Sequence, residues 1–120
     1  MQKRMAFALV LGAAALAAGT AEAQFSGYYR LMARHSGKAV VVQSASTANA
    51  ADVIQWTYGG TATNDEWELV SLGTGYHKVV NRNSGKVLNV SGASTANGGN
   101  IDQWSWANVN QEMFQILSVP

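Results

Sequence analysis

The chain has 120 residues, 12% of them charged, and a formal net charge of +1, which gives no electrostatic ground for nucleic acid or an anionic membrane as partner. It has no cysteine, so a disulfide framework is excluded and stability must come from packing, association or a ligand.

Lys3 and Arg4 precede an apolar run from Met5 to Ala18, and Ala21-Glu22-Ala23 supplies the small residues of a cleavage site. This order predicts a secretory signal peptide over residues 1–23 and a secreted or periplasmic product. The apolar run is shorter than the roughly 20 residues a membrane span requires. No second such run follows, so no membrane partner is expected. The mature part is therefore expected to start at Gln24 and to hold 97 residues with six basic and six acidic side chains.

From there the chain reads as short strands between turn signals. Residues 28–34 alternate and are rich in strand formers. Ser36-Gly37 is a turn, because glycine takes positive φ without steric cost. Residues 39–42 are a largely β-branched run and predict a second strand. The Ser/Thr/Asn/Ala stretch 43–51 is a loop, residues 52–58 a third strand, and residues 66–72 a fourth, with Trp67, Leu69 and Leu72 as core contacts. The pattern then recurs, with strands predicted at 76–82, 87–90, 100–106 and 113–117. Strands at about ten-residue spacing indicate an all-β sandwich or barrel, and no stretch of the mature chain has helical periodicity.

The recurrence is a true repeat. Residues 28–58 overlie residues 76–106 at an offset of 48 without a gap, and 13 of the 31 positions are identical. Ala45-Ser46-Thr47-Ala48-Asn49 returns as Ala93-Ser94-Thr95-Ala96-Asn97, and Gln55-Trp56 returns as Gln103-Trp104. One residue is lost late in the unit, so that Trp67-Glu68-Leu69 falls on Phe114-Gln115-Ile116. Repeat one spans about 26–73 and repeat two about 74–120.

The ordered pattern resembles the ricin B-type (R-type) lectins, also grouped as carbohydrate-binding module family 13. It runs from a tyrosine-led strand through Ser-Gly-Lys, an aliphatic strand, Ser-Thr-Ala-Asn and Gln-Trp to a closing Trp or Phe. The resemblance covers the mature chain in both copies. It implies a β-trefoil-like fold with two of the usual three four-stranded repeats, and sugar binding without catalysis. Two repeats leave open strand edges, which invite another chain. The expectation is a homo-oligomer completing the trefoil, or else a chain that folds poorly.

The resemblance also implies the candidate site. The family's pocket Asp falls on Val41 in the first copy and Asn89 in the second. Val41 cannot bond a hydroxyl, whereas Asn89 can donate and accept, so the second pocket is expected to be the better one. The pocket aromatic falls on Trp56 and Trp104, with Tyr58 and Trp106 two residues on. The late polar pair falls on Asn64-Asp65 and near Asn110-Gln111-Glu112. A pyranose has an apolar C–H face and a rim of hydroxyls, which suits aromatic rings flanked by amides such as Gln103. Trp104 and Trp106 at i and i+2 on a strand would face one side together. Trp67 lies within an apolar alternation and reads as core.

Other chemistries are weaker. The Ser-Gly-Lys turns lack the phosphate-loop pattern. His35 and His77 have no second ligand at metal spacing and read as surface residues; neither cofactor nor metal is expected. Asp65, Glu66 and Glu68 suggest a glycosidase pair, but read better as a solvated strand face. The partner expected is a glycan of galactose or xylan type, with a secreted protein-interaction or inhibitor module as the alternative.

Overall fold

The fold is that of a computed structural model in which residues 24–120 are described. The leader expected over residues 1–23 lies outside the described residues. Seven strands follow in chain order: β1 (Tyr28–Tyr29), β2 (Ala39–Val42), β3 (Val53–Trp56), β4 (Trp67–Ser71), β5 (His77–Asn81), β6 (Val87–Val90) and β7 (Ile101–Trp104). All pairings are antiparallel. Strands β1-β4-β5-β6-β7 form one sheet in that order, and β2-β3 form a second.

β2 and β6 form where the sequence places them, each released by a glycine turn; β2 is a largely β-branched run, and β6 (Val-Leu-Asn-Val) buries Val87 and Asn89. The Gly37 and Gly85 turns both sit at positive φ, 69° and 74°. Other elements are shorter than their sequence patterns. Only Tyr28 and Tyr29 of the segment 28–34 join a ladder, with a further single bridge from Met32 to Ala39. The segment 113–117 contributes one bridge, from Phe114 to His77, rather than a strand. Residues 31–33 leave β4 after Tyr29 and hydrogen-bond back to residues 38–40 instead.

The core gathers Val42, Trp67, Leu69 and Val79, with Phe25, Tyr29, Leu31 and Phe114 packed around them. Trp67 is fully buried and satisfies its indole by donating from Nε1 to the Val40 carbonyl at 2.9 Å. His77 departs from the surface position expected of it. It lies on the inward face of β5 with Val79 and Asn81, is buried, and meets the Phe25 ring edge-on at 5.4 Å. Among the described residues, neither ring nitrogen of His77 has a hydrogen-bond partner.

The two halves are tied by a latch centred on Gln103. Its Oε1 accepts from Ser84 Oγ at 2.7 Å, and its Nε2 donates to the carbonyls of Ser46 and Ala48 at 2.9 and 2.8 Å. The main chain adds Ala50 N to Gln103 O at 2.9 Å and Gln103 N to Ala51 O at 3.0 Å. Ser105 N and Oγ both donate to Asn49 Oδ1, and Asn83 Nδ2 donates to the Ala45 carbonyl. The loop of the first half thus lies along the outer edge of β7.

Candidate functional site

Each half carries a pocket between its second and third strands and the loop that follows. The register across each strand pair decides its chemistry. Val41 faces Ile54 across β2 and β3, and Asn89 faces Asp102 across β6 and β7. The first pocket, about 480 Å³, is therefore lined by two aliphatic side chains at the place where the second, about 390 Å³, has an amide and a carboxylate. The first is larger, but volume supplies no hydrogen bond to a polar ligand.

Asn89 and Asp102 are both buried, and Asn89 Nδ2 donates to Asp102 Oδ1 at 2.7 Å. This bond aligns the two groups and leaves Asn89 Oδ1 and Asp102 Oδ2 without a partner among the described residues. Neither oxygen is sealed from solvent. Such a pair can accept two hydroxyl hydrogens, one through a charged oxygen that makes the stronger bond. Trp104 lines the same pocket and remains partly exposed, so a ring face stands beside the polar pair. Asp102 was not among the residues the sequence singled out. The signal was available: Val41 and Ile54 change together into Asn89 and Asp102 at one offset.

The loop that walls each pocket is pinned by a buried carboxylate. Asp65 Oδ2 accepts from Gly59 N and Gly60 N at 3.0 and 3.2 Å. Glu112 Oε1 accepts from Ala107 N at 2.7 Å. Glu112 therefore does the work of Asp65, which places Gln111 over Asn64 and fixes the late one-residue shift. Asp65 is not part of a solvated face, and Glu66 is not either: it accepts from Tyr58 Oη at 2.6 Å and from Arg82 at 2.9 Å. Only Glu68 of the three is exposed.

The remaining residues singled out in the sequence divide cleanly. Trp56 and Asn64 line the first pocket, and Asn89, Trp104 and Gln111 line the second. Asn64 Nδ2 is engaged with the Val42 carbonyl at 2.8 Å. Tyr58 and Trp106 line neither pocket. Arg30 lies over the Tyr58 ring at 4.6 Å and Lys78 over the Trp106 ring at 5.0 Å. The strand ends at Trp104, so the i, i+2 relation expected of Trp104 and Trp106 does not apply. Gln103 is wholly buried in the latch, and Asn110 borders a separate cleft with Thr74, Tyr76 and Met113. The Glu66 bond, followed by burial, raises the Tyr58 phenol above its ordinary pKa.

Residues 17–104 match a family model described as ricin-type beta-trefoil lectin domain-like. The fold is similar to that of a designed 3-fold symmetric protein, ThreeFoil, with 46% identity and a TM-score of 0.76, over 80% of this chain and 68% of that one. It is also similar to part of an exo-beta-1,3-galactanase from Clostridium thermocellum, with 33% identity and a TM-score of 0.75, over 79% of this chain but only 20% of the enzyme. A lectin of Polyporus squamosus, solved with a Neu5Aca2-6Galb1-4GlcNAc epitope, shares the fold at 14% identity and a TM-score of 0.62, over 73% of this chain and 30% of the lectin. Among curated proteins none matches the chain.

Proposed function

The chain belongs to the ricin-type β-trefoil lectin-like family, and from that premise we propose that it binds carbohydrate without catalysis, through the pocket of its second half. The observation that carries the reading is the convergence of Asn89, Asp102 and Trp104 on one cavity of about 390 Å³. That set matches a pyranose: a ring face for the C–H surface, and an amide and a carboxylate for vicinal hydroxyls. The first pocket, with Val41 and Ile54 in place of the polar pair, is a weak site or none.

Glycans of galactose type are the favoured ligand class. The support is the 33% identity to a segment of an exo-beta-1,3-galactanase. The reading includes export, with residues 1–23 removed. N-terminal sequencing of the exported protein beginning elsewhere than Gln24 would remove that part alone.

The test is tryptophan fluorescence of the folded chain titrated with galactose, lactose and β-1,3-galacto-oligomers, beside xylo- and cello-oligomers. A saturable change with galactosides, lost on Trp104→Ala, is the expected result. A folded chain that answers to no sugar at millimolar concentration sinks the reading.

A further inference from the structure

The first pocket differs from the second in one consistent direction. Its floor has lost the acceptors that a hydroxyl needs, since Val41 and Ile54 stand where the second half has Asn89 and Asp102. Among the described residues its one charged lining residue is Asp65, and that carboxylate is spent. Oδ2 accepts from Gly59 N and Gly60 N, and Oδ1 is closed off from solvent. Asp102 in the second pocket keeps an oxygen that is not sealed.

In exchange, the first pocket has gained donors and room. Ser44 stands 48 residues before Gly92, so a hydroxyl lines the first pocket where the second has a glycine. Thr57 lines the first pocket, and its hydroxyl makes no hydrogen bond among the described residues. Its counterpart Ser105 is held by Asn49 and does not line the second pocket. The wall loop is also one residue longer: Asp65 follows Trp56 by nine residues, and Glu112 follows Trp104 by eight. The cavity measures about 480 Å³ against about 390 Å³. Trp56 keeps the ring of the pair and is 65% exposed.

We propose that the first pocket binds an acetyl group carried on a sugar ring, with the methyl against Val41 and Ile54, the carbonyl oxygen accepting from the Ser44 or Thr57 hydroxyl, and the sugar ring against Trp56. An acetyl group reverses the demands of a hydroxyl. Its methyl gains by leaving water for an aliphatic floor. Its carbonyl only accepts, so it needs a donor and no acceptor. A bare hydroxyl placed on the same floor gives up its water partners and finds none, which penalises the unacetylated sugar. The cross-strand pair that disables this pocket for hydroxyls therefore selects the acetylated form. The longer wall loop supplies the space that the added group occupies.

The acetyl group is the shared chemistry of amide-borne and ester-borne forms. An amide adds an N–H, and Asn64 Oδ1 is placed to accept it, because Nδ2 is the atom committed to the Val42 carbonyl. The two pockets then read opposite features of a glycan, hydroxyls in one and acetyl groups in the other. A partly acetylated glycan is the partner that offers both. The proposal concerns a different pocket and a different chemical group from the carbohydrate reading above, and shares with it only the sugar ring.

The test titrates the Trp104→Ala chain, in which the second pocket has lost its ring, and reads tryptophan fluorescence. The pairs are N-acetylgalactosamine against galactose, N-acetylglucosamine against glucose, and acetylated against deacetylated xylo-oligomers. The acetylated member of at least one pair should bind about 10-fold tighter than its parent, the worth of a buried methyl and one hydrogen bond. Ile54→Thr, at a half-buried position, and Thr57→Val, at an exposed one, should each bring that ratio toward unity. Saturation-transfer NMR gives an independent readout, in which the acetyl methyl should take up more saturation than any ring proton. A preference in the amide pairs alone assigns the N–H to Asn64, and one in the ester pair assigns recognition to the acetyl group itself; either supports the proposal. Equal affinity for acetylated and parent sugars overturns it, as does a preference that both substitutions leave unchanged. An acetyl preference in a chain that answers to no galactoside sinks the reading of the second pocket and leaves this one standing.

Discussion

Asn89 and Asp102 face each other across β6 and β7 and share a 2.7 Å hydrogen bond, at the register where Val41 and Ile54 face each other across β2 and β3. One pair of positions thus separates a pocket able to order hydroxyls from one that is not. Asp102→Ala should lower affinity for the bound galactoside about 10-fold or more, the loss of one hydrogen bond to a charged group. Asp102→Asn should cost less. Isothermal titration on each variant measures this, and unchanged affinity in both would remove Asp102 from the site.

The polar pair should be transferable. Val41→Asn with Ile54→Asp places the same two groups at the same register in the first half. The double variant should bind a second equivalent of sugar, read as a change in titration stoichiometry. Ile54→Asp alone should melt lower than the double variant, because its carboxylate loses the amide that orients it. If the two substitutions simply add, the pair is not acting as a unit.

The loop clamps make a stability prediction. Glu112→Ala leaves Ala107 N without its 2.7 Å acceptor and empties a buried position, at a cost of about 1–3 kcal/mol. For a domain of this size that is a fall in Tm of roughly 4–8 °C per kcal/mol. Because the clamp shapes the wall of the second pocket, sugar affinity should weaken with it. Glu112→Gln retains an acceptor oxygen and should recover most of the stability. Thermal melts of the three proteins test this, and equal Tm values would deny the clamp its role.

Tyr58 should ionise later than a free tyrosine, because its phenol donates to Glu66 at 2.6 Å and the neutral form is the one that bond favours. The sign follows from the folded pKa lying above the unfolded value of 10.0. The stabilisation is complete below that value and is lost as pH rises through the folded pKa. Glu66→Gln should return the phenol toward its ordinary range. Ultraviolet titration of tyrosinate absorbance, with Tyr58→Phe to assign the late step, checks it.

Much of this architecture is legible in the sequence, and the losses have identifiable causes. β2 and β6 are read correctly because a short, mostly aliphatic run next to a glycine turn is a local signal. Trp67 is read as core because its alternation is local too. The burial of His77 and Gln103 is decided by residues far along the chain, Phe25 in one case and Ser46 and Ala48 in the other. No periodicity reports such contacts. The resemblance places Tyr58 and Trp106 beside the pocket aromatics, and strand geometry puts Trp106 on the face of Trp104, but the strands end at Trp56 and Trp104, and beyond that point a two-residue step no longer returns a side chain to the same face. Asp102 is different, since comparing the two copies column by column would have exposed it.

The duplicated Gln55 and Gln103 carry a consequence for how such a protein changes in length. A joint whose two faces are both encoded in every copy of the unit needs no redesign when a copy is gained or deleted. Each new unit arrives with the surface that receives its predecessor and the loop that engages its successor. The number of units is then open to change by duplication or loss in a single step, while each pocket, governed by its own cross-strand pair, is free to diverge without disturbing the joint.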